Sequence, residues 1–239
     1  MTQNTSSAVM QQRSEPHDSL DDFPTPPWAT RALIEHVIEP GLDLTTLKIL
    51  MSQSSVWEPC SNRGYMARTL KEYTRRVFTS DIFDYSEDPA TVHCQDRVVD
   101  FLFPFSESPV IETHGVDWVI TNPPFRLADQ IIKRGLDIAR EGVAVLVRSA
   151  FEEGVGRYEQ LFRDNPPTLL GVFTERVIMH KGVLRDPSKE YWDERTRAMK
   201  RPSTATSYKW MVWVKGMRPL PQIWIPPCRH QLERPGDYE

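Results

Sequence analysis

Short apolar runs alternate with stretches of helical spacing along almost the whole chain, and that alternation leaves few folds open. Ser54–Trp57, Val77–Ser80, Val116–Ile120 and Val143–Val147 read as strands, with Leu169–Phe173 and Lys209–Val214 as two later ones. Between them Thr30–Ile38, Tyr65–Tyr73 and Leu127–Arg140 repeat apolar residues every three or four positions, as amphipathic helices do. Thr30 is expected to cap the first helix and Gly142 to follow the third at its C-terminal cap. Val143–Val147 is almost continuously apolar, which suits a strand buried on both faces. In the last strand Trp210, Val212 and Val214 alternate against Met211 and Trp213. The expectation is an α/β fold with a largely parallel sheet, whose ligands bind beyond the carboxyl ends of its strands.

At 239 residues the chain is expected to form one large domain. Residues 1–20 are polar and without hydrophobic periodicity, so they read as a disordered lead-in. The domain is placed at 21–228. The Pro-rich stretch after Gly216 reads as an extended strap, and 229–239 as a frayed tail. A net charge of −4 excludes a polycationic coat protein. Cys60, Cys94 and Cys228 are too few and too widely spaced for a disulfide framework or a structural zinc site, so no metal is expected. No apolar run approaches the ~20 residues of a membrane span, and no signal peptide is evident. A cytoplasmic setting follows as an expectation.

The residues that carry chemistry fall where the strands end. Thr121-Asn122-Pro123-Pro124-Phe125 directly follows Asp117-Trp118-Val119-Ile120. The side-chain oxygen of Asn122 and the backbone oxygen of Pro123 are two hydrogen-bond acceptors presented by one turn. The prolines stiffen the turn that presents those acceptors, and Phe125 can stack on a flat substrate. Glu58-Pro59-Cys60-Ser61-Asn62-Arg63-Gly64 lies at a strand-to-helix junction, where glycine allows a nucleotide-like ligand close approach. Asn62 is one of the few non-glycine residues that tolerate a positive φ. Asp81 ends the second strand, 17 residues after Gly64, and Asp84 competes with it for binding of ribose hydroxyls.

Together these segments resemble S-adenosylmethionine-dependent DNA amino-methyltransferases of the N6-adenine type, close to phage and prophage members. The Asn-Pro-Pro-Phe turn resembles their catalytic motif, and Glu58–Gly64 their cofactor loop Glu-Pro-x-Cys-Gly-x-Gly, with Asn62 in place of the first glycine and Ser61 in place of the cysteine. Phe23-Pro24-Thr25-Pro26-Pro27 resembles the segment that precedes that loop, and Asp100 the position that contacts the adenine of the cofactor. Arg148–Tyr158, Glu175–Val177 and Ser203–Trp213 extend the likeness over roughly residues 23–228. The resemblance implies a Rossmann-like class I methyltransferase fold, seven strands with the last one antiparallel beside the fifth. It implies transfer of a methyl group to the exocyclic amine of an adenine swung out of the helix. Asn122, Pro123, Pro124 and Phe125 are then catalytic. Thr25, Pro26, Glu58, Pro59, Asn62, Gly64, Asp81, Asp100 and Asn122 bind the cofactor.

From Arg176 to Lys209 nine basic residues face four acidic ones, with Tyr191 and Trp192 interleaved. In an acidic chain this segment is expected to contact nucleic acid, through Arg176, Lys181, Arg185, Lys189, Lys200 and Arg201, and to order only on its substrate. DNA is the expected partner. RNA, a glutamine side chain in a protein, and a non-catalytic binding role with a decayed cofactor site are the rival readings.

Overall fold

The computed structural model describes residues 21–41, 51–103, 111 and 115–239. The expected lead-in 1–20 lies outside them. The chain enters through an extended strap, residues 21–26, and turns into helix α1, which runs from Pro27–Ala32 through a wide π-helical segment, Leu33–Ile38, to Glu39–Gly41. Strand β1 is Ser55–Glu58, helix α2 Tyr65–Leu70, strand β2 Arg76–Asp81 and strand β3 Arg97–Val98. Then come β4 (Val116–Thr121), α3 (Ala128–Ile138), β5 (Ala139–Arg148) and β6 (Leu169–Phe173). A two-stranded ribbon, β7 (Tyr191–Asp193) and β8 (Ala198–Lys200), precedes β9 (Tyr208–Val214), β10 (Ile223–Ile225) and α4 (Arg229–Leu232).

The main sheet has the order β10-β6-β9-β5-β4-β1-β2-β3. Strands β1 to β5 pair in parallel, and β9 alone is antiparallel, seven residues long against β5 and four against β6. This is the Rossmann-like order expected of the methyltransferase fold, with one correction: among the described residues the sheet has eight strands, not seven. The eighth, β10, comes from the Pro-rich tail and pairs in parallel with β6. It is an edge strand, the one place where neighbouring prolines cost no ladder bonds.

Alternation in the strands sorts the core into two layers. Val56, Trp118, Ile120, Ala144, Leu146, Trp210 and Val212 pack with α1 and α2 on one face. Trp57, Val119, Val143, Val145, Val147, Met211 and Trp213 pack with Ile131 and Ile132 of α3 on the other. Burial on both faces is what the continuous apolar runs require.

Two caps differ from expectation. Helix α1 starts three residues early, at Pro27, whose fixed φ suits a first helical turn, so Thr30 is buried inside the helix and caps nothing. Helix α3 ends at Ile138, and Gly142 is a strand residue within β5. A Cβ there would lie 2.4 Å from the Trp213 carbonyl oxygen and 2.5 Å from the Trp118 ring, so the glycine serves packing and no cap.

The end of the chain is docked, which corrects the expectation of a frayed 229–239. Arg31, 3% exposed, donates to both carboxylate oxygens of Asp237 (2.7 and 2.8 Å), to the Leu232 carbonyl and to Glu72. Burial works against the guanidinium charge, but Asp237 and Glu72 more than offset it and hold Arg31 protonated. The segment 176–209, expected as a loop, carries the β7–β8 ribbon.

Candidate active site

At the carboxyl ends of β1, β2 and β4 lies a cleft partly open to solvent. It is lined by Thr25, Glu58, Pro59, Asn62, Asp81, Asp100, Asn122 and Pro124 among the residues expected from sequence. Pro26, Gly64, Pro123 and Phe125 do not line it. Asp84 does not either: it is exposed and accepts the Ser86 N–H, which leaves Asp81 as the carboxylate at the ligand.

The loop after β1 is shaped by three backbone features. Asn62 adopts φ +52°, the left-handed conformation expected of it in place of glycine. Gly64 adopts φ +83° at the start of α2, where a Cβ would lie 2.3 Å from the His93 carbonyl oxygen. The loop is tied across to β2 by Ser61 N–H on the Ser80 carbonyl (3.0 Å) and Asn62 N–H on Asp81 Oδ2 (2.9 Å). Asp81 also accepts the Phe83 N–H, so its carboxylate holds the loop as well as facing the cleft.

Glu58 is fully buried at the head of this loop. Burial, reinforced by Asp81 and opposed by a bond from the Ala67 N–H, pushes its carboxyl well above the usual range. Its Oε2 meets no partner among the described residues, and neither does the neighbouring Ser61 Oγ. Burial with the nearby Asp81 likewise pushes the Cys60 thiol up, so it stays protonated and is no nucleophile.

On the other wall Asn122 Nδ2 donates to the Phe23 carbonyl (3.0 Å) and Thr25 Oγ1 (3.1 Å), with Met179 Sδ at 3.8 Å. Two oxygens around the amide nitrogen fix which way the amide points. Its Oδ1 is left without a donor among the described residues. Phe125 N–H donates to Asp21 Oδ2 (2.7 Å), and the Arg148 guanidinium lies 3.9 Å over the Phe125 ring. One face of that ring is thus covered from within, and Arg148 has a place inside the fold.

Sequence reasoning missed the strap residues Asp21 and Asp22. Asp22 accepts Arg63 Nη1 (2.8 Å) and Asn62 Nδ2 (2.7 Å), and its carbonyl accepts the Gly182 N–H (2.9 Å). The only signal for them was their place directly before Phe23-Pro24-Thr25, and neither carboxylate had a partner visible in sequence. Tyr85 and Met179 were missed for the same reason: their neighbours in the site are far away along the chain.

Among the described residues no group of three metal-ligating side chains occurs, and no helix is long and apolar enough to cross a membrane. The basic residues expected to meet nucleic acid lie in and around the ribbon. Arg176 donates to the Ala205 carbonyl, Lys181 is exposed, and Arg185 lies 3.7 Å over the Tyr191 ring. Lys189, Lys200 and Arg201 pair with Asp186, Asp193 and Glu190.

No protein-family model matches the chain, and no curated protein matches it. Solved structures do resemble it. A candidate RNA methyltransferase from Pyrococcus horikoshii aligns over 90% of this chain and 99% of its own, with 14% identity and a TM-score of 0.46. The modification subunit of a candidate type I restriction enzyme from Vibrio vulnificus aligns over 90% of this chain and 48% of its own, with 15% identity and a TM-score of 0.49. Magnesium protoporphyrin IX methyltransferase from Synechocystis, with S-adenosylmethionine bound, aligns over 79% and 81%, with 9% identity and a TM-score of 0.40.

Proposed function

We propose that the protein is an S-adenosylmethionine-dependent DNA methyltransferase that methylates the exocyclic N6 amine of an extruded adenine. The observation that carries this reading is the Asn122 amide, pinned through its nitrogen and left with a bare acceptor oxygen in a cleft that also holds Glu58, Asp81 and Asp100.

The cleft fits the cofactor. A buried carboxylate oxygen and a buried hydroxyl without partners, Glu58 Oε2 and Ser61 Oγ, are costly unless a ligand satisfies them. Glu58 suits a cationic amino group, whose charge favours the carboxylate form that burial disfavours. Asp81 spends its oxygens on two backbone N–H groups and retains lone pairs for ribose hydroxyls. Asp100 lies beside Phe101 and Leu102, a polar acceptor next to apolar surface that suits an adenine ring. Bound S-adenosylmethionine supplies an electrophilic methyl group on a sulfonium sulfur.

The residues of this chain do the rest by position and polarity. Asn122 Oδ1 and the Pro123 carbonyl accept the two N–H bonds of the amine, turning its lone pair towards the methyl group. As the nitrogen gains positive charge these acceptors strengthen their hold, which favours the transition state over the ground state. No strong base is needed, because the methylated amine is acidic and releases its proton to water.

The test is transfer of labelled methyl from S-adenosylmethionine to unmethylated DNA, RNA and a protein extract, each digested and resolved by mass. N6-methyladenine in DNA is the expected product. Label in RNA or on glutamine keeps the amine chemistry and overturns the substrate. No cofactor binding at millimolar concentration overturns the enzyme reading altogether.

A further inference from the structure

The ribbon segment uses most of its charge internally. Lys189 pairs with Asp186 (3.6 Å), Lys200 with Asp193 (3.1 Å), Arg201 with Glu190 (3.8 Å), and Arg185 stacks on Tyr191. Arg195 and Arg197 differ. Both are exposed in the turn between β7 and β8, and neither meets a partner among the described residues. Trp192 and Met199 stand directly opposite one another across the ribbon, on one face, and are 52% and 55% exposed. The other face, with Tyr191 and Asp193, is half-buried.

The ribbon's other, half-buried face is the one linked to the Asn122 turn. Met179 touches the Asn122 amide, and the next residue, His180, packs its ring 5.8 Å from that of Tyr191 and reaches the Ser203 carbonyl. An exposed tryptophan and methionine side by side, flanked by two free arginines, have no use for water. Arg195 and Arg197, against Glu194 in the same turn, leave this end of the ribbon positive, and a positive face with aromatic and thioether surface suits a polyanion with apolar, stackable parts.

We propose that this face of the ribbon docks duplex DNA, with Arg195 and Arg197 on phosphates and Trp192 with Met199 against the bases. The proposal rests on the methyltransferase reading above and identifies which of the many basic residues meet the substrate. A two-stranded ribbon fits the major groove of B-form DNA, about 12 Å wide, whereas the A-form groove of duplex RNA is too narrow for it.

The test titrates the full-length protein against a fluorescein-labelled DNA duplex, and against an RNA duplex of the same sequence, at several salt concentrations. Arg195→Ala with Arg197→Ala is expected to weaken DNA binding about tenfold or more and to flatten the salt slope by about two units, near 0.9 per phosphate contact. Trp192→Ala with Met199→Ala is expected to weaken it about tenfold with the slope unchanged, since stacking releases no counterions. Both variants keep the wild-type affinity for S-adenosylmethionine, which reports an intact fold. Wild-type DNA affinity in both variants overturns the proposal, as does a wild-type protein that prefers duplex RNA or binds no duplex. Ribbon-dependent DNA binding in a protein that binds no S-adenosylmethionine sinks the methyltransferase reading and leaves the docking surface standing.

Discussion

Thr25 Oγ1 lies 3.1 Å from Asn122 Nδ2, so a hydroxyl 97 residues away in sequence orients the amide on which the proposed chemistry turns. The Phe23 carbonyl does the same from 3.0 Å. The amide cannot flip without placing its oxygen against another oxygen.

Replacing Asn122 by Ala removes the acceptor and is expected to lower kcat by ~10²–10³-fold while the affinity for S-adenosylmethionine stays within a few-fold, the usual cost of losing a polar group aimed at developing charge. Single-turnover methyl transfer alongside calorimetry with the cofactor checks both. Unchanged turnover removes Asn122 from the active site.

Thr25→Val keeps the shape of the side chain and removes one acceptor. The Phe23 carbonyl remains, so kcat is expected to fall by roughly tenfold, the scale of one net hydrogen bond. A fall equal to that of Asn122→Ala would mean that the strap itself had come loose.

Asp22 bridges the strap to the cofactor loop through Arg63 and Asn62. Arg63 also pairs with Asp88 at 2.8 Å, so Asp22→Ala leaves the guanidinium one of its two carboxylates. Weaker binding of S-adenosylmethionine together with a lower kcat is expected, because one residue serves both walls of the cleft. A variant that loses only thermal stability, with both constants intact, would make Asp22 a structural residue alone.

Glu58 sets a pH dependence whose sign can be worked out. Its carboxyl is raised in the folded protein, so above the ordinary glutamate range the unfolded chain releases a proton that the folded one still holds. Its contribution to stability is therefore full at acid pH and is lost as pH rises. Glu58→Gln keeps an acceptor for the Ala67 N–H and is expected to gain stability over the wild type progressively above pH ~4.5, while binding S-adenosylmethionine more weakly. Denaturant melts of both proteins at pH 4 and pH 7 read it; an equal difference at the two pH values contradicts the assignment.

Asp237 is 3% exposed and shares Arg31 with Glu72. Asp237→Ala breaks one arm of a buried pair, and such losses cost about 3 kcal/mol. A drop in Tm on the order of 10 °C is expected for a domain of this size. A melt within a degree or two of the wild type would show that the last eleven residues are not part of the folding unit.

The strands were legible because they obey local rules. Val143–Val147 had to be buried on both faces, and Trp210, Val212 and Val214 had to face away from Met211 and Trp213, as their separation into two core layers bears out. The helix ends were less legible. Proline at position 27 outweighed a favourable capping residue at 30, and Gly142 answered to a tryptophan ring on a neighbouring strand. Neither preference can be weighed until the neighbour is known.

Sequence by itself determined six strands of the sheet, the strand ends that carry Glu58, Asp81 and Asn122, and a residue at position 62 that tolerates a left-handed turn, because period, turn chemistry and backbone sterics act over a few residues. Only the tertiary structure decided that Asp21, Asp22, Phe23 and Thr25 clamp three distant segments, that Arg31 draws the tail into the core, and that Arg195 and Arg197 stay free while Lys189, Lys200 and Arg201 find carboxylates. A charge or a hydrogen-bonding group is satisfied by whatever the fold brings within about 3 Å of it, and that distance is set by the packing of elements far apart in the chain.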